Sequence, residues 1–534
     1  MQAEPATPQA FADALSDAVG ADSVITDDAE REFFSQDVFR KGATVAAIVR
    51  PGDVGTLQAA LRVAAQFAVP VIPRGGGMSY TDGFLAQDET ALLVDTGALD
   101  RIVEINTEDM YVTVEAGCTW RALAAALEPH GVRTPYWGPL SGLRATVGGA
   151  LSQGSVFLGS GQHGSAADNV QSLDVLLADG SLVTTGSAAN QHASPFYRHL
   201  GPDLTGLFTG DCGALGIKVR ATLPLKRLLP ETRHASFGFK TFDAMMRAMC
   251  EIAREDLVSE CFAFDPGLQG IRLKRSSMTE DVKSLGRVIK GAGSLAKGLK
   301  AGAKIVAAGR SFLKDLDFSM HVTLDARTAE AAEEKLTAVR QICADGGSEV
   351  EATMPRVMRA DPFANVNSLL GPGGERWAPV HGIFAMSRAA DAFRAAESVF
   401  DRHRDALDSL DIDTGVLMCA IATSAILVEP CLYWPDEQMA IHKRFLDPQY
   451  RAKLTDFPAN ETARARVAQI RDDLTKALHE CGATHFQLGK YYPYLDGMNA
   501  TTRAAVEGIK AAVDPEGRMN PGALGLASRN RSSR

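Results

Sequence analysis

Three consecutive glycines, Gly75, Gly76 and Gly77, constrain this chain more than any other feature. They follow a short apolar strand candidate, Val71-Ile-Pro-Arg74, and lead into Met78-Ser79. With no side chain in the way, such a backbone can approach a ligand closely. Its successive N–H groups form a concavity suited to an anion such as a pyrophosphate. A plain glycine loop is the competing reading. A second glycine-rich run, Thr146-Val-Gly-Gly-Ala-Leu-Ser-Gln-Gly154, opens a helix with small residues and is expected to wall the same phosphate site. A third, Gly159-Ser-Gly-Gln-His-Gly164, fits the dinucleotide template, with Asp179 twenty residues on. Its context does not fit: no clear strand precedes it, no apolar helix follows, and Asp179 belongs to an Asp-Gly turn.

The chain has 534 residues, 46% hydrophobic and 22% charged, which is ordinary globular composition and enough for several compact units. Its net charge of −10 argues against nucleic acid as a partner. The eight cysteines form no Cys-x-x-Cys pair, so reduced thiols in a cytoplasmic protein are expected, with no metal site. The N-terminus shows no signal-peptide pattern and no apolar run is long enough to span a bilayer, so a soluble or peripheral protein is expected.

The pattern along the chain reads as α+β. Ala46–Arg50, Val71–Arg74 and Ala91–Thr96 are strand candidates, and Asp53 is placed to cap a helix running to about Phe67. Hairpins are expected over Arg101–Ala116 and over Ser172–Thr185, the latter turning at Asp179-Gly180. Gly216–Leu225 alternates as a strand. From about Arg233 the helices lengthen: Asp243–Asp256, Ala326–Ala344 and Arg388–Leu407 are expected helical, with strands at Phe318–Leu324 and Thr414–Val428. The expected organisation is an N-terminal extension (1–37), a ligand-binding domain (38–230), a second domain (231–480) with a basic insertion (271–314), a C-terminal return (481–526) and a disordered tail (527–534).

Several motifs occur in a fixed order. They are Pro73-Arg-Gly-Gly-Gly-Met-Ser79, Ala145-Thr-Val-Gly-Gly149, Asp174-Val-Leu-Leu-Ala-Asp-Gly180, Asp203-Leu-Thr-Gly-Leu-Phe-Thr-Gly210, Gly213-Ala-Leu-Gly-Ile217 and Asp514-Pro-Glu-Gly-Arg-Met-Asn-Pro-Gly522. Together they resemble the vanillyl-alcohol oxidase / p-cresol methylhydroxylase flavoprotein superfamily over nearly the whole chain. The resemblance implies a two-subdomain FAD-binding domain with an inserted α+β cap. It puts Arg74, Gly75, Gly76, Gly77, Met78 and Ser79 at the FAD pyrophosphate. It puts Pro139, Leu140, Thr146, Gly148, Gly149 and Ser152 along the ribityl and ring side. His163 and Gly164 fall at the family's usual Tyr-Gly position, Ile217 at the adenine end, and Asn520 on the C-terminal return beside the flavin. Relatives with covalent flavin carry His after the glycines, or His or Tyr near a stretch matching Ala422–Ile426. This chain has Met78 and Ala-Thr-Ser-Ala-Ile there, so FAD held without a covalent bond is implied.

The resemblance also suggests a branch. No His-x-x-Gly-Asp-Gly-Asn-type metal motif is found, whereas Trp377–Ser387 is similar to the cap of the phenol-oxidising branch. His485-Phe-Gln-Leu-Gly-Lys-Tyr-Tyr-Pro-Tyr494 falls where that branch has Gly-Glu-Tyr-Arg, whose Tyr and Arg hold a phenolate. Tyr491 matches the Tyr, but Tyr492 replaces the Arg and Lys490 the Glu. Lys490 or Arg376 is then the source of positive charge, and Tyr433 and Trp434 with the 491–494 tyrosines are candidates for an aromatic wall. Core packing is the plainer reading of those rings. Glu429 is a candidate base, or a buried partner of an arginine.

The expected activity is FAD-dependent removal of hydride from an alcohol or a para-substituted phenol or aryl alcohol. Tyr491 would stabilise developing negative charge, and His485, whose side-chain type titrates near neutrality, would act as base. A 2-hydroxy-acid dehydrogenase of the same superfamily and a flavin-binding protein without turnover are the alternatives. The expected partners are a small, aromatic substrate and an electron acceptor, either O2 or an electron-carrier protein, with a homodimer as a further possibility. Ile271–Lys314 holds eleven basic residues against Glu280 and Asp281, a net of +9. Apolar residues are interleaved at near-helical spacing, so contact with an anionic membrane surface is expected there, against a solvated cap insertion.

Overall fold

The computed structural model describes residues 8–275, 317–363 and 365–526. The basic stretch falls, beyond Arg275, outside the described residues, as does the tail. The chain divides into two compact units. The first is drawn from Met1–Ser155, Ala166–Arg227 and His485–Arg534, and the second from Val156–Ser165 and Leu228–Thr484.

The first unit carries two main sheets. Strands β1 (Val24–Ile25), β2 (Ala47–Val49), β3 (Val71–Arg74) and β4 (Leu92–Asp95) lie in the order β1-β2-β4-β3, with β2, β4 and β3 mutually parallel. The helix Val54–Gln66 makes the crossover from β2. Asp53 caps it by accepting from Thr56 N at 2.8 Å, and its apolar face buries Leu57, Leu61 and Ala64. The parallel core is a departure from the hairpin texture read in the sequence, because three- and four-residue buried strands show no alternation. The second sheet is antiparallel. It comprises β5 (Ile102–Asn106), β6 (Tyr111–Glu115), β8 (Ser172–Leu176), β9 (Leu182–Thr184) and β10 (Ile217–Pro224), in the order β5-β6-β10-β8-β9. A short pair, β7 (Val132–Arg133) and β11 (Lys226–Arg227), stands apart. Both expected hairpins form, and Asp179 closes the second by accepting from Ser181 N and Oγ. One core joins the two sheets: Ala47, Val71, Leu92 and Val94 pack with Leu176, Ile217 and Val219. The helix Pro8–Val19 adds Phe11 and Leu15 to it, and the C-terminal return adds Met519.

The second unit is built on an eight-stranded antiparallel sheet. Its path runs β15 (Gly347–Val350), β12 (Glu231–Phe239), β14 (Phe318–Ala326), β13 (Glu260–Phe264), β18 (Asp413–Ile421), β19 (Ala425–Trp434) and β16 (Arg376–Pro379), with β17 (Gly382–Ala385) also on β19. The single strand expected over Thr414–Val428 is instead a hairpin, turning at Ala422–Ser424 with Ala422 at φ 47°. The helix expected over Arg388–Leu407 breaks at His403 into Ala389–Arg402 and Arg404–Ser409. Helices Phe242–Arg254 and Ala329–Cys343 are capped by Thr241 and Thr328. All eight cysteines are free thiols, seven of them buried. No described helix is long and apolar enough to cross a membrane.

Candidate functional site

Strand β3 delivers the glycine loop, and the loop is packed from beneath and from the side. Beneath it, the buried Arg74 guanidinium lies over the rings of Phe34 (4.5 Å), Phe84 (5.2 Å) and Phe33 (5.6 Å). Gly77 adopts φ 73°, and a Cβ there would run into that guanidinium. At the side stands the segment entering the helix Val147–Gln153. A methyl on Gly75 would press on Thr146 Oγ1, and one on Gly76 would fall on the Arg144 carbonyl. Thr146 caps its helix by accepting from Gly149 N at 3.2 Å, and Gly148 sits tight against Ala116. The structure thus brings Arg74, Gly75, Gly76, Gly77, Thr146, Gly148 and Gly149 together.

The remaining sequence candidates distribute around this nucleus. Ser79 Oγ meets Thr81 Oγ1 at 3.1 Å, and Ser152 Oγ donates to the Gly148 carbonyl at 2.8 Å. Pro139 and Leu140 are half-buried in the loop that Gly142 N closes onto the Pro139 carbonyl. Met78 follows the glycines, also half-buried. Ile217 begins β10 opposite Leu176, with its side chain in the core. His163 and Gly164 lie in the second unit, on the four-residue helix Ser160–His163 and its cap. There, Gly159 N donates to Glu260 Oε1 at 3.1 Å and Ala422 N to the Ser160 carbonyl at 2.8 Å.

Asn520 arrives on the C-terminal return in the left-handed region, at φ 40°. Its N–H bonds to the Val71 carbonyl, registering the return against β3, and its Nδ2 donates to the Gly83 and Cys212 carbonyls at 2.7 and 2.6 Å. Its Oδ1 is buried and has no hydrogen-bond partner among the described residues. A buried acceptor left open in this way calls for a donor from a ligand. The cradle of glycine backbone and this open acceptor fit FAD, whose pyrophosphate needs N–H donors and whose ribityl and ring N–H groups need acceptors.

The turn at 485–492 belongs to the same unit. His485 is buried and stacks on Tyr492, with centroids 4.3 Å apart and planes 13° apart. Tyr491, half-buried, meets Tyr492 edge-on at 5.1 Å. Gly489 N donates to Cys212 Sγ at 3.1 Å, and Lys490 N to the Thr81 carbonyl at 3.0 Å. Lys490 Nζ donates to the Leu85 carbonyl at 2.5 Å, and burial brings its pKa down to about 8. The sequence did not single out Cys212. It sits at φ 51° between two of the ordered motifs, after Gly210 and before Gly213, and ties Gly489, Asn520 and Gln153 to each other.

Two cap candidates have structural employment. Arg376 is buried, 3.7 Å from Asp436 and over the Trp434 ring, so its charge is taken up inside the second unit. Trp434 is fully buried with Nε1 donating to Asp436, which makes it core, not a substrate wall. Glu429 lies on β19, partly exposed.

Comparison with known proteins agrees with this geometry. A family model described as an FAD binding domain matches residues 45–186. The mitochondrial D-lactate dehydrogenase [cytochrome] of Arabidopsis thaliana is 29% identical over 252 residues, covering 45% of this chain and 42% of the relative. The chain thus spans less than half the length of that curated relative. Among solved structures, p-cresol methylhydroxylase with substrate bound superposes with a TM-score of 0.71 at 15% identity, covering 97% of each chain. An alkyldihydroxyacetonephosphate synthase superposes with a TM-score of 0.69 at 14% identity, covering 98% of this chain and 86% of the other. With the glycine cradle and the FAD-binding match on the same stretch of chain, residues 45–186 form an FAD-binding domain whose cofactor is FAD, and the chain has the fold of p-cresol methylhydroxylase.

Proposed function

We propose that the protein is an FAD-dependent oxidoreductase that removes hydride from a carbon bearing, or conjugated to, an oxygen function. The favoured substrate is an alcohol or a para-substituted phenol or aryl alcohol. The observation that carries this reading is the aromatic turn of buried His485 and Tyr492 with half-buried Tyr491, on the unit that holds the FAD cradle. Bound FAD supplies the two-electron acceptor, and dioxygen or a carrier protein then takes the electrons away. The chain's part is orientation and proton handling. Tyr491 donates a hydrogen bond to oxygen as negative charge develops on it. His485, its plane fixed by the stack on Tyr492, accepts the hydroxyl proton. FAD is held without a covalent bond, since Met78 stands where a linking His would and Ala422–Ile426 contains neither His nor Tyr.

A second reading, a 2-hydroxy-acid dehydrogenase, is favoured by the D-lactate dehydrogenase relative and by the Lys490 ammonium two residues from Tyr492. The fold alone does not choose, because it also serves a protein named as a synthase.

Anaerobic mixing with 4-alkylphenols, aryl alcohols and 2-hydroxy acids, followed by flavin absorbance, decides among these. Bleaching by a phenol or aryl alcohol is expected, and Tyr491→Phe should retain FAD yet slow bleaching about a hundredfold. Bleaching by hydroxy acids alone transfers the assignment to the second reading. No bleaching by any class leaves a flavin-binding protein without turnover. Acid denaturation should release the yellow colour from the polypeptide; colour that stays with it refutes the non-covalent claim.

A further inference from the structure

The loop that follows the glycines bounds a cavity of about 470 Å3 in the first unit. Its lining includes three cations, Arg40, Lys41 and Lys490, and a single carboxylate, Asp82. That carboxylate is already engaged: Arg40 Nε and Nη2 grip it at 2.7 and 2.6 Å, and its backbone N–H bonds to Asp37. Lys41 pairs outward with Glu32, where both side chains are about half exposed. Lys490 is different. Its Nζ bonds to one carbonyl and makes no ion pair with a described carboxylate, so of the three protons an ammonium donates it spends one on Leu85. The backbone holding it is pinned by Lys490 N to Thr81 and by Leu524 N to the Gly489 carbonyl. A methyl on Gly489 would fall on the Thr81 carbonyl, so this turn has no slack to carry the ammonium away.

We infer that this cavity is a binding site for a small oxyanion, a carboxylate or a phosphate, held between the Lys490 ammonium and the outer edge of the Arg40 guanidinium. Charge-assisted hydrogen bonds from a rigidly held donor set suit either oxyanion. The depressed pKa of Lys490 agrees with a charge that burial has left under-compensated.

The FAD-loaded full chain is titrated calorimetrically with sodium acetate and, separately, sodium phosphate, at constant ionic strength set with sodium chloride. Saturable one-site binding of acetate, of phosphate or of both is expected, and the preferred probe identifies the ligand class. Lys490→Gln and Arg40→Gln should each weaken it about tenfold or more, and Lys41→Gln less than threefold. Flavin content and melting temperature of each variant show that it is folded and loaded. A measurement on the unaltered protein guards against variants that fail to fold. Asp82, Asp88, Arg40 and Cys212 face Lys490, and burial pushes the Cys212 thiol up to about 12. Binding of the tighter probe should therefore weaken as pH rises through about 8, and for acetate no ligand titration intrudes. No saturable heat from either anion, or unaltered affinity in both Lys490→Gln and Arg40→Gln, overturns the inference. Either result is read without turnover, so it stands apart from the fate of the oxidoreductase reading.

Discussion

The two units solve different problems with different parts of the chain. In the first, the decisive contacts are made by backbone: glycines at 75, 76 and 489 lie where any Cβ would collide, and Asn520 and Cys212 sit at positive φ. In the second, long antiparallel strands are locked by buried charge. Arg359 Nη1 bonds to both oxygens of Glu260 at 3.0 and 3.1 Å, and Nη2 to both oxygens of Asp325 at 2.8 and 2.7 Å, joining β13 to β14. Glu260 also accepts from Gly159 N, so the same network holds the excursion Val156–Ser165. Backbone shape builds a cradle for a ligand, whereas paired charge builds a scaffold. The contrast teaches where each unit is vulnerable.

The largest stability loss is expected from Arg359→Met. It takes the guanidinium away from two carboxylates whose side chains are only 5% and 8% exposed. Breaking a buried pair in this way typically costs about 3–5 kcal/mol. Urea unfolding should show that loss, and Arg359→Lys should recover only part of it, since one ammonium cannot fork to both acids. A loss under about 1 kcal/mol for Arg359→Met breaks the comparison on the side of the second unit.

Gly76→Ala comes next. Its methyl falls on the Arg144 carbonyl, a backbone atom that cannot swing aside. Overpacking of this kind costs about 1–3 kcal/mol. The sharper effect should be on the cofactor, with FAD affinity down at least about tenfold, since the loop must move to relieve the clash. Flavin-to-protein absorbance ratios measure it. If Gly76→Ala binds FAD like the wild type, the cradle is not where the pyrophosphate sits.

This division also explains what the sequence revealed. Glycine motifs are legible because a side chain at those positions would collide, so the 75–77 loop and the Thr146 run stand out in the bare sequence, whereas Asn520 was reached only through the family resemblance. Asp53 as a cap was legible for the same local reason. The Arg359 network was not, because it joins residues 34 and 99 positions apart in the chain. Nor did anything mark 156–165 as part of the second unit, since its anchors, Glu260 and Ala422, are far away in sequence. The hairpin at 422–424 was hidden by an unbroken run of apolar and small residues. Cys212 gave no signal at all: its role depends on the turn at Gly489 arriving from nearly three hundred residues away.

Each unit also holds one buried aspartate raised to about 6, Asp37 in the first and Asp265 in the second, with desolvation the largest cause in both. A carboxyl whose folded pKa lies above its unfolded value keeps its proton longer when folded. Its stabilising contribution is therefore full below about 4 and is lost as pH rises to about 6. Asp265→Asn isolates this effect, because Oδ1 alone accepts from Leu268 N and Val416 N and an amide oxygen can do the same. Melting temperatures from pH 4 to 7 should fall less with rising pH in the variant than in the wild type. Identical slopes would remove Asp265 as a source of pH sensitivity in the second unit.

The smallest effect is a control on the glycine argument itself. Gly508 lies inside the helix Ala500–Val513, exposed, with nothing within 4 Å of a Cβ built on it. It belongs to the same unit as Gly76 but serves no close approach. A mid-helix glycine costs about 0.5–1 kcal/mol relative to alanine through backbone entropy. Gly508→Ala should therefore raise stability by that amount and leave flavin content untouched. Opposite signs for Gly76→Ala and Gly508→Ala would show that position, not glycine as such, makes the cradle. If Gly508→Ala is destabilising or sheds FAD, this helix carries a constraint that its open surroundings do not reveal, and the contrast between shape and charge needs redrawing.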